Sequence, residues 1–480
     1  MRVAKREADT HSATAKGAST AMATYPPGPK DGLLGIHLLR RFRVDPLEFI
    51  TDAARQYGDL AYMRFGPVRT YFMFAPHLVR EVLVTRHKHF RQPEMLIRPL
   101  RQIDGNGLVL SDGDFWRRQR RLMQPAFSTR RFDTYSEVTV HYTRRMLDTW
   151  HSGESIDIAD EMTRLTLPII AKTLFGVELE GRAAELGRAV HMLSEMVFRE
   201  SGYPVHLPDW LPLPSKRRKR WAINTIRGLV ADIIRQRRAS GEDRGDLLSM
   251  LLLAVDEEEG GGGMTDVQAL DEAITLFNAG HDSTAAALSW IWYLIARHPH
   301  VESQLIAEID EVLPDRDPTY ADVARLPLTE LVIKESMRLY PPTWSLIPRE
   351  VVEPLELDGY KIPRGAWLYT FPWATHRDPR WFAHPERFDP ERFAPGRVDE
   401  IPPYAYFPFG GGPRICIGAA FATMEMVLIL ATILRKFRVK IAAGQGDVVP
   451  EPLIAIRPRG GLRVSLTRRS EPALAGRDTS

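Results

Sequence analysis

The stretch Phe409-Gly410-Gly411-Gly412-Pro413-Arg414-Ile415-Cys416-Ile417-Gly418 holds the only cysteine of the chain and stands directly before a strongly apolar segment, Ala419 to Phe437. Glycines let a backbone take left-handed turns and approach a flat ligand closely. The apolar segment predicts a helix with its positive end beside Cys416. Together with nearby backbone N–H groups and Arg414, that end favours a thiolate over a thiol. A thiolate on a glycine-rich loop suits a soft or borderline metal ion. The plainer alternative is a chance glycine loop beside an inert buried cysteine.

Outward from this loop, the chain reads as mainly helical. Thr265 and Gln268 form a capping-box pattern, and a helix of about thirty residues is expected from Thr265 to Arg297. Its second half, Ala285 to Ile295, is apolar nearly all round and should cross the interior. A second helix is predicted over Thr329 to Tyr340, with Thr329 as N-cap and Pro341-Pro342 as terminator. Near the N-terminus a helical stretch, Pro46 to Tyr57, precedes strand-like Ala61 to Phe65 and Thr70 to Phe74, paired as a hairpin around Gly66-Pro67. Between about Phe115 and Leu313 the pattern is helical. Glu257-Glu258-Glu259 and four glycines read as a solvated loop, and Lys216 to Arg220 as a solvated helix start, with contact to a membrane surface as the alternative.

Composition excludes several function classes. The 480 residues carry 64 basic and 61 acidic side chains, a net charge of +3, which gives no global reason to expect nucleic acid. Hydrophobic content of 44% and charged content of 26% are ordinary globular values. One cysteine rules out an intrachain disulfide. Residues 1–24 and 467–480 are polar and read as a loose arm and tail, with Met22 an alternative start. The most apolar run, Met426 to Leu434, is too short to span a bilayer, so no transmembrane anchor is expected and a cytoplasmic protein is. The body, 25–466, reads as one domain.

Other patterns carry chemistry. With no second cysteine and no histidine beside Cys416, an all-protein zinc site is disfavoured, whereas one thiolate suffices when a porphyrin supplies four further ligands. Glu335 and Arg338 stand i,i+3 on one helix face, where they can pair; an ordinary surface pair is the bland alternative. Ala279-Gly280-His281-Asp282-Ser283-Thr284 places poor helix formers inside the long helix, for which a packing kink is one explanation. Trp116 and Arg120, at i,i+4, share a face in an arginine-rich segment.

Phe409 to Gly418 resembles the haem-binding segment of the cytochrome P-450 family at each defining position, and the other three patterns recur in that family's order. The resemblance runs from Pro26 to about Leu466. It implies a mainly α-helical triangular prism with a small β lobe, with haem b on Cys416 and Phe409, Gly410 and Gly418 in the cradle. It also implies a propionate cage of Trp116, Arg120, Arg349 and Arg414. Glu335 and Arg338 would join an arginine from a Pro-Glu-Arg-Phe segment, assigned here to Arg392 with Arg387 as the other copy. Ala279 and Gly280 would leave room for O2 and substrate. Asp282 and Ser283 would relay protons; serine replaces the family's usual threonine, and Thr284 ranks second. The pocket should include Ala279, Thr343, Trp344, Leu346 and Ile347, with segments Phe90 to Leu110, Leu193 to Trp210 and Leu453 to Ile456. The implied activity is insertion of one oxygen atom of O2 into a hydrophobic molecule by a monomer. Electrons would come from NAD(P)H through a separate ferredoxin or flavodoxin and its reductase. A peroxygenase or isomerase on the same scaffold, or a non-enzymatic haem sensor, are the alternatives.

Overall fold

The computed structural model describes residues 25–469 apart from 31, 33, 180–182, 202–210, 254 and 257–261. The predicted arm and most of the tail, Trp210 and the glutamate run therefore lie outside the described residues. Among the described residues helices dominate, and five small sheets accompany them.

The longest helix, Asp266–Arg297, begins where the capping box places it. Gln268 N–H donates to Thr265 Oγ1 at 3.2 Å, and Thr265 N–H donates to Gln268 Oε1 at 2.9 Å. Trp290, Ile291 and Trp292 are fully buried, as an all-round apolar half requires. Trp290 stacks on Tyr340 at 3.9 Å and donates its indole N–H to Ile456 O at 3.0 Å, so its polar edge is satisfied inside the core. Helix Ile158–Phe175 packs along this helix.

The β lobe is a five-stranded sheet in the order Leu60–Phe65, Val68–Met73, Trp367–Thr370, Arg349–Val351, Phe90–Arg91. The predicted hairpin is present: Leu60 faces Met73 and Phe65 faces Val68 across the Gly66-Pro67 turn. Trp367–Thr370 lies parallel to Val68–Met73, a pairing of distant segments that brings Arg349 beside the centre of the molecule.

Four local expectations are corrected. The helix predicted from Thr329 starts at Pro327, because Thr329 N–H and Oγ1 donate to the Glu308 carboxylate at 3.0 and 2.7 Å instead of capping. The helix after Gly418 ends at Leu434, and Phe437 opens a strand paired with Arg463–Arg468. Gly262–Gly263 pairs with Val255–Asp256, so part of the glycine run is a short hairpin. In the basic run, Lys216 and Lys219 are buried against Glu200, and only Arg217, Arg218 and Arg220 are solvated.

Candidate active site

Cys416 hangs between two turns. Its N–H donates to Phe409 O at 2.9 Å, and Gly410 N–H donates to Phe407 O at 2.9 Å. Gly412 has φ of 65°, and a Cβ there would stand 2.0 Å from Leu83 O, so no other residue fits without moving the backbone. Cys416 is exposed and lines a cavity of about 830 Å³. Burial pushes its thiol up, against the lowering influence of the Gly418 N–H and Arg120. The helix end and the arginine thus work against desolvation at this sulfur, in the direction that the sequence predicts.

The loop is braced from below by buried charge. Glu335 and Arg338 are both 0% exposed and pair bidentately, at 2.7 and 2.8 Å. Arg392 Nε donates to Glu335 Oε1 at 3.3 Å, and Asp389 N–H donates to the same oxygen at 2.9 Å. The side chain of Arg387 stays at the surface; only its carbonyl takes part, accepting from Arg338 at 3.2 Å. Arg338 Nη1 also donates to His376 O at 2.8 Å, and His376 Nε2 accepts from Phe407 N–H at 2.9 Å. A hydrogen-bonded path thus runs from the ion network through His376 to the turn that carries Cys416. Burial, then Arg338 and Arg377, hold His376 well below the usual histidine range, so it accepts as a neutral ring. Sequence reasoning missed His376, which has no pattern around it.

On the opposite rim of the loop, Arg120 donates to Ile415 O at 2.8 Å, and Arg414 lies over the Trp116 ring at 4.5 Å. Arg414 donates to Asp112 Oδ1 at 2.7 Å and to Ser111 O at 2.8 Å. Burial works to raise Asp112, yet Arg414 and the N–H groups of Gln92 and Gly113 hold it below the usual carboxylate range. Arg349 has no ion-pair partner among the described residues, and burial with the neighbouring Arg414 lowers its guanidinium to about 10. On this rim the guanidinium groups of Arg120, Arg349 and Arg414 thus outnumber the single carboxylate of Asp112. A ligand bearing two carboxylates near the thiol restores the balance, and haem is such a ligand.

The far wall is the middle of the long helix, which stays α-helical through Gly280. A Cβ at Gly280 would meet Ile170 Cδ1 at 2.6 Å, so this glycine serves close helix packing and not only ligand space. Ser283 Oγ donates back to Ala279 O at 2.7 Å. Asp282, 7% exposed, is ion-paired with Arg457 of the strand Ile456–Pro458, a partner 175 residues away that no local signal announces. His281 turns away from the cavity wall to Thr166, 2.8 Å from its Oγ1, and burial lowers it to about 4.

The cavity gathers the expected residues: Ala279, Asp282, Ser283 and Thr284, then Thr343, Trp344, Leu346 and Ile347, then Trp116, Arg120, Arg349, Phe409, Gly410, Arg414, Cys416 and Gly418. Leu193 and Leu453 to Ala455 also contribute, while 202–210 of the expected lining fall outside the described residues. On the outer surface, Trp116, Arg117, Arg120, Arg121 and Pro413 line a shallow depression. Among the described residues no group of histidine, cysteine or acid side chains could hold a metal unaided, and no helix is long and apolar enough to cross a membrane.

Comparison with known proteins agrees with this geometry. The family model described as cytochrome P450 matches residues 26–462. The chain is 39% identical to cyclooctatin synthase of Streptomyces melanosporofaciens, over 86% of this chain and 88% of that one. It is 37% identical to cyclooctat-9-en-7-ol 5-monooxygenase of the same organism, over 83% and 86%. To pentalenene oxygenase of Streptomyces avermitilis it is 34% identical, over 88% and 93%. The crystal structure of the cytochrome P450DA heme domain superposes with a TM-score of 0.84 at 27% identity, covering 93% of this chain and 98% of that one.

Proposed function

This chain belongs to the cytochrome P450 family, a haem-dependent monooxygenase, and on that premise we propose that it hydroxylates a hydrophobic, terpenoid-sized molecule with electrons delivered from NAD(P)H by a separate ferredoxin or flavodoxin and its reductase. The working unit is one haem domain over 25–466, acting in the cytoplasm. The balance is R–H plus O2, two electrons and two protons, giving R–OH and water.

One observation carries the reading. One largely apolar cavity receives the only thiol, two guanidinium groups without carboxylate partners among the described residues, and the acid–alcohol pair of the long helix. The names of the relatives, a 5-monooxygenase of a cyclic alcohol and an oxygenase of pentalenene, support a terpenoid.

Cys416 would ligate the iron, with Phe409, Gly410 and Gly418 around the sulfur and Trp116, Arg120, Arg349 and Arg414 on the propionates. Bound haem supplies the iron at which O2 is reduced. The protein's own part is positioning and proton handling. Ser283 must turn its hydroxyl from Ala279 O into the cavity to hold a proton there. Asp282 must loosen from Arg457 to exchange protons with the interior, which makes that ion pair a gate. Trp344 and Leu346 keep water out. The basic depression around Arg117 and Arg121 suits an acidic electron donor.

The test is the ferrous–CO spectrum and turnover with a donor system. A thiolate-type, red-shifted Soret band and donor-dependent hydroxylation are expected. A histidine-type band from folded protein, or oxygenation that never needs a donor, overturns the reading.

A further inference from the structure

One end of the cavity is not apolar. Asp104 closes helix Glu94–Asp104, and Asn278 stands on the long helix just before Ala279. Asn278 Nδ2 donates to Asp104 Oδ1 at 2.7 Å. No group among the described residues donates to Asp104 Oδ2. Arg227, whose charge acts on Asp104, is committed to Asp271 at 2.9 Å and to Ile103 O at 3.0 Å. Asp104 is half-buried and lines the cavity. Ser194, on helix Ala183–Ser201, also lines the cavity, but its Oγ is buried away from it and plays no part in this polar end.

Polar groups turned into an apolar cavity cost desolvation free energy unless a ligand completes them. A carboxyl group with one unpaired oxygen and the amide beside it together offer both donors and acceptors. That is the complement of a hydroxyl group, which also donates and accepts. Burial pushes Asp104 up to about 7, against the hydrogen bond from Asn278 and the charge of Arg227, so a large share of it is neutral near pH 7. A neutral carboxyl with a guanidinium nearby suits an alcohol better than an ammonium group.

We propose that Asp104 and Asn278 anchor a hydroxyl group already present on the substrate, so the hydrophobic molecule taken by this cavity is an alcohol. The proposal rests on the monooxygenase reading and narrows its substrate class. Asn278 precedes Ser283 by five residues, about 7.5 Å along the helix axis. The new oxygen therefore enters several bonds from the anchored one. An earlier step that installs a hydroxyl must supply this substrate.

The test is spectral titration of the haem-loaded protein with two matched pairs, cyclododecanol against cyclododecane and cedrol against cedrane. Wild type should bind at least one alcohol about tenfold or more tighter than its hydrocarbon, the worth of one satisfied hydrogen bond. Asp104→Leu should bring that ratio close to one by weakening the alcohol alone. Asp104→Asn, which still donates and accepts, should keep most of it. If Asp104→Leu does not fold, Asn278→Leu should show the same collapse. A ratio near one for both pairs in wild type, or a ratio untouched in the leucine variants, overturns the anchor. The ferrous–CO spectrum reads the monooxygenase assignment separately. If that assignment fails, quenching of intrinsic tryptophan fluorescence still yields the alcohol-to-hydrocarbon ratio.

Discussion

The two walls of the cavity are built on opposite rules. Beneath Cys416 nearly every polar group is spoken for: Glu335 receives Arg338, Arg392 and Asp389 N–H, and His376 passes that order to Phe407. Across the cavity, Ser283 is bonded only to its own helix, Asp282 hangs on one ion pair from a distant strand, and Ser194 has no partner. A fully satisfied network holds one geometry, and a partly satisfied one can be completed by a ligand or rearranged in a reaction. The thiol side is built to stay still. The helix side is built to change partners.

The largest break should come at the thiol itself. Cys416→Ser is expected to leave haem unbound or weakly held and to abolish oxygenation, read by haem content after purification and by the ferrous–CO spectrum. Retention of a thiolate-type spectrum would refute the assignment outright.

Next in size is the brace. Glu335→Ala and Arg338→Ala each strand a buried charge, and breaking such a pair costs about 3–5 kcal/mol. Arg387→Ala removes only an exposed side chain and should change stability by less than about 0.5 kcal/mol. Thermal unfolding and haem occupancy measure the contrast; equal melting temperatures for Arg338→Ala and Arg387→Ala would erase the distinction between the walls.

How much of this was legible beforehand follows the same divide. Glu335–Arg338, Trp116–Arg120, the capping box and the cysteine loop are local patterns, and helix periodicity places their members together without knowledge of the fold. The mainly helical architecture and the hairpin around Gly66 were legible for the same reason. The partners supplied from afar were not. His376, Arg457 and the Asp104–Asn278 pair are joined by tertiary packing across 31, 175 and 174 residues, and nothing adjacent to them differs from ordinary sequence. Two copies of one short pattern left Arg392 and Arg387 as rivals, and only the fold separates the buried side chain from the surface one. Thr329 misled because a helix-favouring proline two residues earlier took the start.

A smaller effect tests an exception on the still side. Glu425, on the helix after Cys416, is buried with Oε2 unpartnered, and burial raises it to about 8. Its folded value lies above the unfolded one near 4.5, so folding takes up a proton between those limits. The stability it confers is complete below about 4.5 and is lost as pH rises through about 8. Glu425→Gln should therefore melt with a flatter pH dependence from pH 5 to 9 than wild type. Parallel curves would mean that Glu425 is ionised and paired in solution.

The smallest expected effect is the most informative about the mobile wall. Ser283→Ala removes a hydroxyl that in this structure only bonds back to Ala279 O, so folding and substrate binding should stay near wild type. If that hydroxyl swings into the cavity during turnover, its loss misplaces protons and releases hydrogen peroxide before the O–O bond is cleaved. The ratio of product to NADPH consumed should fall while total NADPH oxidation holds. Ser283→Thr should keep or raise the ratio, because the added methyl restricts the hydroxyl's rotamers. Asp282→Asn should differ in kind: it weakens the Arg457 pair and removes the acid, so oxygen consumption itself should slow. The measurement is NADPH, O2, peroxide and product in one reaction with a fixed donor system. Unchanged coupling in Ser283→Ala would transfer the hydroxyl role to Thr284, which lines the same cavity one residue on. Slowed oxygen uptake in both variants would instead mean that acid and alcohol act as one unit, and the wall would be stiffer than its hydrogen bonds indicate.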